Sequence, residues 1–136
     1  MIRLDHIGIA VESIDERLDF YRVLGLEVDG FEEVPDQGVR VAFLPVGDGR
    51  LELLEPTGPD TPIARHLERR GPGMHHICFQ VPDIYRSMAR LADAGYRLLS
   101  TEPQQGADGH LVCFIHPSSA GGVLVELSQP AAKEPG

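Results

Sequence analysis

The chain is one pattern written twice. Leu4-Asp5-His6-Ile7-Gly8-Ile9-Ala10-Val11 overlays Met74-His75-His76-Ile77-Cys78-Phe79-Gln80-Val81 at an offset of 70 residues. Leu51-Glu52-Leu53-Leu54-Glu55-Pro56 overlays Val125-Glu126-Leu127-Ser128-Gln129-Pro130 at an offset of 74. Such a repeat restricts the fold to copies of one supersecondary unit packed together. Each copy opens on a segment bearing His and closes on a segment bearing Glu.

The elements in between keep the same order. Residues 4–11 alternate, with Ile7, Ile9 and Val11 on one face and Leu4, His6, Gly8 and Ala10 on the other, which predicts a strand. Ser13 and Glu16 form a capping box for a helix whose apolar stripe is Ile14, Leu18, Tyr21 and Val23–Leu24, stopped by Gly25. Strands follow at residues 26–31, 38–46 and 50–55, with Asp48-Gly49 as a two-residue hairpin. The linker at 57–73 holds a short helix at about 61–70. Its N-cap is Thr61, its first residue Pro62 and its C-terminal cap Gly71, and Ile63, His66 and Leu67 turn inward. The second copy predicts a strand at 74–81 and a helix from the Asp83 cap through Ala94, ended by Gly95. Strands at 96–100, 111–116 and 123–127 come next, with a loop at 106–109, a turn at 117–122 and a frayed tail at 131–136. The prediction is α+β: two βαβββ modules, at about 2–56 and 74–130, in one domain of 136 residues.

Charge and cysteine content narrow the function classes. With 21 acidic residues against 12 basic ones the net charge is -9, which argues against a nucleic-acid partner. Cys78 and Cys113, the only two cysteines, sit in apolar runs without a C-x-x-C motif and read as free thiols in a reducing cytoplasm. No apolar run approaches the ~20 residues of a membrane span. Residues 1–5 lack a basic region followed by a long apolar stretch, so no signal peptide is expected. The expectation is a cytoplasmic protein with no membrane partner.

The chemistry is expected where the repeat places His6, Glu52, His76 and Glu126. One imidazole and one carboxylate per module suggest a divalent ion on an internal two-fold axis, and the mixed set fits cobalt, nickel, manganese, iron or zinc. Four protein ligands on a six-coordinate ion leave two positions for two oxygens of one substrate. Strand parity agrees: His6 and His76 face away from the branched residues that need a helix over them. Small Gly8 and Ala10 leave room on that side. His66, His110 and His116 lack matching residues in the other module and read as helix, loop and strand-end residues. Arg65, Arg69 and Arg70 read as a solvated helix end.

At these residues the chain resembles the vicinal oxygen chelate superfamily and, within it, the methylmalonyl-CoA epimerase family. The specific segments are LDHIGIAV at 4–11, LELLEP at 51–56, GMHHICFQV at 73–81, FIHP at 114–117 and GVLVEL at 122–127. Residues 61–71 also resemble the helix between the family's two halves. The resemblance implies paired modules forming an eight-stranded, cup-shaped mixed sheet. It implies a divalent ion, often cobalt, on His6, Glu52, His76 and Glu126, and a homodimer acting on an acyl-CoA in propionate metabolism. The reaction implied is inversion at C2 of methylmalonyl-CoA. Val41 stands where some members have a glutamate assigned as one base, and Ser118 where many have lysine.

A proton must leave one face of C2 and return on the other. Chelation of thioester and carboxylate oxygens would stabilise the enolate and fix the C2 hydrogen. Glu126 is expected as ligand and base, with Glu52 as ligand and candidate second base; the alternative is that both are ligands only and a water or another residue moves the proton. The alternatives are a glyoxalase I-type lyase acting on a glutathione hemithioacetal, with the same ligand types, and a non-catalytic small-molecule-binding protein of the same fold. An extradiol dioxygenase fits less well, since that iron takes two His and one carboxylate.

Overall fold

The structure, a computed structural model, describes residues 1–106 and 109–131. Half of the predicted 106–109 loop and most of the 131–136 tail lie outside these. The described residues form two compact units, one of His6–His75 and one of Met1–Asp5 with the residues from His76 onward. The first unit contains β1 (Arg3–Ala10) from His6 on, α1 (Ile14–Leu24), β2 (Gly30–Val34), β3 (Val39–Val46), β4 (Gly49–Pro56) and α2 (Pro62–Arg70). The second contains β5 (Gly73–Gln80) from His76 on, α3 (Ile84–Asp93), β6 (Gln104–Gln105), β7 (Leu111–Ile115) and β8 (Val125–Gln129). Eight strands in ladders of both senses, with three helices, make the predicted α+β mixed-sheet architecture, built twice.

In the first unit β4 lies between β1, which it pairs in parallel, and β3, antiparallel to it. The second unit repeats this with β8 between β5 and β7. One face of each set is dry. In the first, Ile14 and Leu18 of α1 pack with Val11, Ala42, Leu44 and Leu53, and Ile9 and Leu51 border them. In the second, Ile84 and Met88 of α3 pack with Val81, Cys113, Ile115 and Leu127. Ile9 and Val11, and their counterparts Phe79 and Val81, therefore lie on the helix-covered face, as the alternation predicts.

The helix signals hold at most ends. Ser13 Oγ accepts from the Glu16 N–H at 3.3 Å, and Gly25 closes α1 in the left-handed region at φ 111°. Thr61 caps α2 and Asp83 caps α3 through side-chain oxygens. The α1 stripe, however, stops at Tyr21: Val23 and Leu24 are 90% and 66% exposed. Leu26 and Val28, past the helix end, turn back to fill that space, so the second strand is not 26–31 but begins at Gly30.

Three more boundaries are corrected. The β3–β4 turn is Gly47-Asp48, because Gly49 already pairs with Val46 and Gly47 supplies the positive φ of 57°. Residues 96–100 are not a strand. Leu98 makes one bridge to Ile115 while packing on the core, and the edge strand is the short Gln104–Gln105. The last strand runs from Val125 to Gln129, since left-handed Gly121 and Gly122 prolong the turn before it.

The repeat also builds a contact that the sequence does not advertise. Glu55 Oε1 accepts from the Ile14 N–H at 2.9 Å, and Gln129 Oε1 from the Ile84 N–H at 2.8 Å. Three residues beyond each candidate ligand, the same strand thus satisfies the first amide of the helix. Glu55→Ala or Gln129→Ala is expected to lower unfolding stability by about 1–2 kcal/mol, comparable to loss of an N-cap. Urea titration of each variant against the parent measures it.

Candidate functional site

Opposite the helix-covered face, each unit presents a second face built from matched positions. Register puts Gly8 beside Glu52 and Phe43 across from Glu52 in the first unit. In the second it puts Cys78 beside Glu126 and Phe114 across from Glu126. Alternation then sets His6, two residues before Gly8, diagonal to Glu52, and His76, two before Cys78, diagonal to Glu126.

The predicted residues meet as pairs within each unit. His6 Nδ1 lies 3.1 Å from Glu52 Oε2, and His76 Nε2 lies 2.9 Å from Glu126 Oε1. All four are buried: His6 is 5% exposed, Glu52 4%, His76 7% and Glu126 7%. Burying ionisable groups is costly unless they are paired or bind metal, so finding them in pairs at one register in both modules needs a cause. Their spacing fits a cation. Adjacent ligands on a six-coordinate ion with bonds of about 2.1 Å lie roughly 3 Å apart. Imidazole nitrogen with carboxylate oxygen is also a suitable donor set for a divalent transition metal.

Residues that sequence reasoning passed over border these pairs. Arg50 Nε donates to Glu52 Oε2 at 2.8 Å, and its guanidinium carbon lies 5.0 Å from the centre of the Phe43 ring. Arg50 sits two positions before Glu52 on the same face, so strand parity alone could have found it. The His76 and Phe114 rings meet edge to face at 5.9 Å. His110, read as a loop residue, places Nδ1 2.9 Å from Ser128 Oγ.

The remaining histidines and cysteines fit plainer roles. His66 is half-buried on α2, stacked edge to face with His75 at 4.9 Å. Partial burial, then Arg70 and Arg69, hold its pKa below the usual value, which favours the neutral ring. His116 Nδ1 accepts from the Ser118 N–H and caps the turn after β7. Neither cysteine is in a disulfide and both are buried, as expected. Burial, opposed by a hydrogen bond with the Leu127 backbone and reinforced by the Glu126 charge, raises the Cys113 thiol to about 11, which keeps it protonated and unreactive. Among the described residues no helix is long and apolar enough to cross a membrane.

Comparison with known proteins agrees with this geometry. The family model of the glyoxalase/bleomycin resistance protein/dioxygenase superfamily matches residues 5–114. The chain belongs to that superfamily. It is 45% identical over 130 residues to the ethylmalonyl-CoA/methylmalonyl-CoA epimerase of Cereibacter sphaeroides, covering 93% of this chain and 97% of that one. It is 43% identical over 129 residues to the mitochondrial methylmalonyl-CoA epimerase of Bos taurus, covering 93% and 74%. A solved methylmalonyl-CoA epimerase in complex with methylmalonyl-CoA and NH4+ superimposes with a TM-score of 0.90 at 40% identity, covering 97% and 96%.

Proposed function

We propose that the chain is a methylmalonyl-CoA epimerase, an isomerase that interconverts the 2R and 2S substrates by proton transfer at C2. His6, Glu52, His76 and Glu126 are its metal ligands in this reading. The observation that carries it is the His–Glu diagonal, buried and repeated at one register in two modules. Relatives of 43–45% identity bearing this activity in their names support the substrate. In this reading the two modules form one domain with a cup-shaped sheet. The protein is a cytoplasmic homodimer, and the ion is cobalt.

A bound divalent ion supplies Lewis-acid polarisation of the substrate's oxygens. The chain's own residues do the rest. Glu126 takes the proton from its own face of C2 in one direction of the reaction and delivers a proton to that face in the reverse direction. Glu52, its counterpart in the other module, serves the opposite face, with Arg50 fixing the carboxylate at 2.8 Å. Val41 lies on the same face as Glu52, across from Leu54, and its isopropyl group accepts no proton. In this reading Glu52 is the second base, although Glu32 also stands on this face, across from Val41. Phe43 and Phe114 stand across from the two carboxylates.

The test is incubation of one epimer of methylmalonyl-CoA with metal-loaded protein in deuterated water. The expected result is an equal mixture of epimers labelled at C2, and no turnover of a glutathione hemithioacetal. Turnover of the hemithioacetal alone would move the chain to the lyases.

A further inference from the structure

We infer that His110, oriented by Ser128, binds the free carboxylate of the acyl-CoA and so decides which way round the substrate lies. This rests on the epimerase reading and deepens it. The observation is where the internal repeat breaks. Along the face that carries the ligands, Glu52 matches Glu126, Phe43 matches Phe114 and Val41 matches Val112. One step further the match fails. Leu54, across from Val41, is replaced by Ser128, across from Val112. Val39, two residues before Val41, is replaced by His110, two residues before Val112. An apolar pair in one module is thus a hydrogen-bonded pair in the other, His110 Nδ1 to Ser128 Oγ at 2.9 Å.

Stability does not ask for this exchange. Val39 and Leu54 are buried at 3% and 5% and show that an apolar pair fits the position. Ser128 is 2% exposed. A hydroxyl buried so deeply costs free energy that its hydrogen bond only offsets. The bond does fix the plane of a half-buried ring. Ser128 lies two residues past Glu126 on β8 and on the same face, a distance of roughly 6–7 Å along a strand. A malonyl-type acyl group has a thioester on one side of C2 and a carboxylate on the other. His110–Ser128 offers the carboxylate a polar partner that the matching residues Val39 and Leu54 do not. A carboxylate has about four lone-pair sites, so it has use for a donor beyond the ion. In this assignment His110 is the binding residue and Ser128 a positioning residue.

The test compares methylmalonyl-CoA with propionyl-CoA, which has the same thioester and lacks the carboxylate. Binding of each to metal-loaded protein is measured by titration calorimetry. The parent is expected to prefer methylmalonyl-CoA. His110→Ala should cut that preference about tenfold to a hundredfold, the worth of a hydrogen bond to a charged group. Ser128→Ala should cut it a few-fold by freeing the ring, and His110→Gln, which retains a donor, should recover part of the loss. Propionyl-CoA should bind all variants alike. A parent without preference, or a His110→Ala variant that weakens both ligands equally or neither, overturns the assignment. The labelling experiment on the parent judges the epimerase reading separately: a protein that prefers the carboxylate yet inverts nothing sinks only that reading.

Discussion

Glu126→Gln is expected to retain the ion and lose one half of the proton chemistry. Glutamine keeps the length of the side chain and an oxygen toward His76, now 2.9 Å from the carboxylate, but it is a far weaker proton acceptor. Losing a positioned general base typically costs about 10²–10⁴ in rate, and inversion should fall by that factor. The label is more telling than the rate. With Glu52 intact, deuterium should still enter the epimer whose C2 hydrogen faces Glu52 and no longer enter the other. Glu52→Gln should give the opposite pattern. If exchange into both epimers stays at the parent's rate while metal analysis shows the ion bound, Glu126 is a ligand only, and another group moves the proton.

The second large effect is on the ion itself. His76→Ala deletes one donor of the proposed set and leaves Glu126 buried without its 2.9 Å partner. Metal affinity should fall by more than about a hundredfold, since even outer-shell partners are worth 10–100-fold. Inversion should vanish with it. His116→Ala is the contrast, because that ring caps a turn and should leave metal content unchanged. Elemental analysis after dialysis, with circular dichroism to check folding, reads both variants. Equal metal content in His76→Ala and the parent would remove His76 from the set.

The four candidate ligands were legible because two independent rules select them. The repeat pairs His with His and Glu with Glu, and strand parity sends them to the face without a helix. Their neighbours were harder to see. Arg50 lay within reach of the same parity rule, yet the overlay sets it against Leu124, so the repeat drew no attention to it. His110 was hidden for a related reason: its meaning comes from being unlike Val39, and the register that equates the two appears only once β3 and β7 are paired with β4 and β8. Helix ends were read well because caps are local chemistry. Strand ends were not, because pairing sets them. Gln104–Gln105 has no apolar alternation, and only its ladder to Val112 and Leu111 makes it a strand.

Glu55 and Gln129 tie one more property to this arrangement. Each grips the first turn of a helix from the strand that bears Glu52 or Glu126, three residues away. A helix that loosens from its sheet would therefore disturb the carboxylate upstream of its grip. Slow hydrogen exchange at the Ile14 and Ile84 amides would then act as a remote gauge of how firmly each acid is aimed.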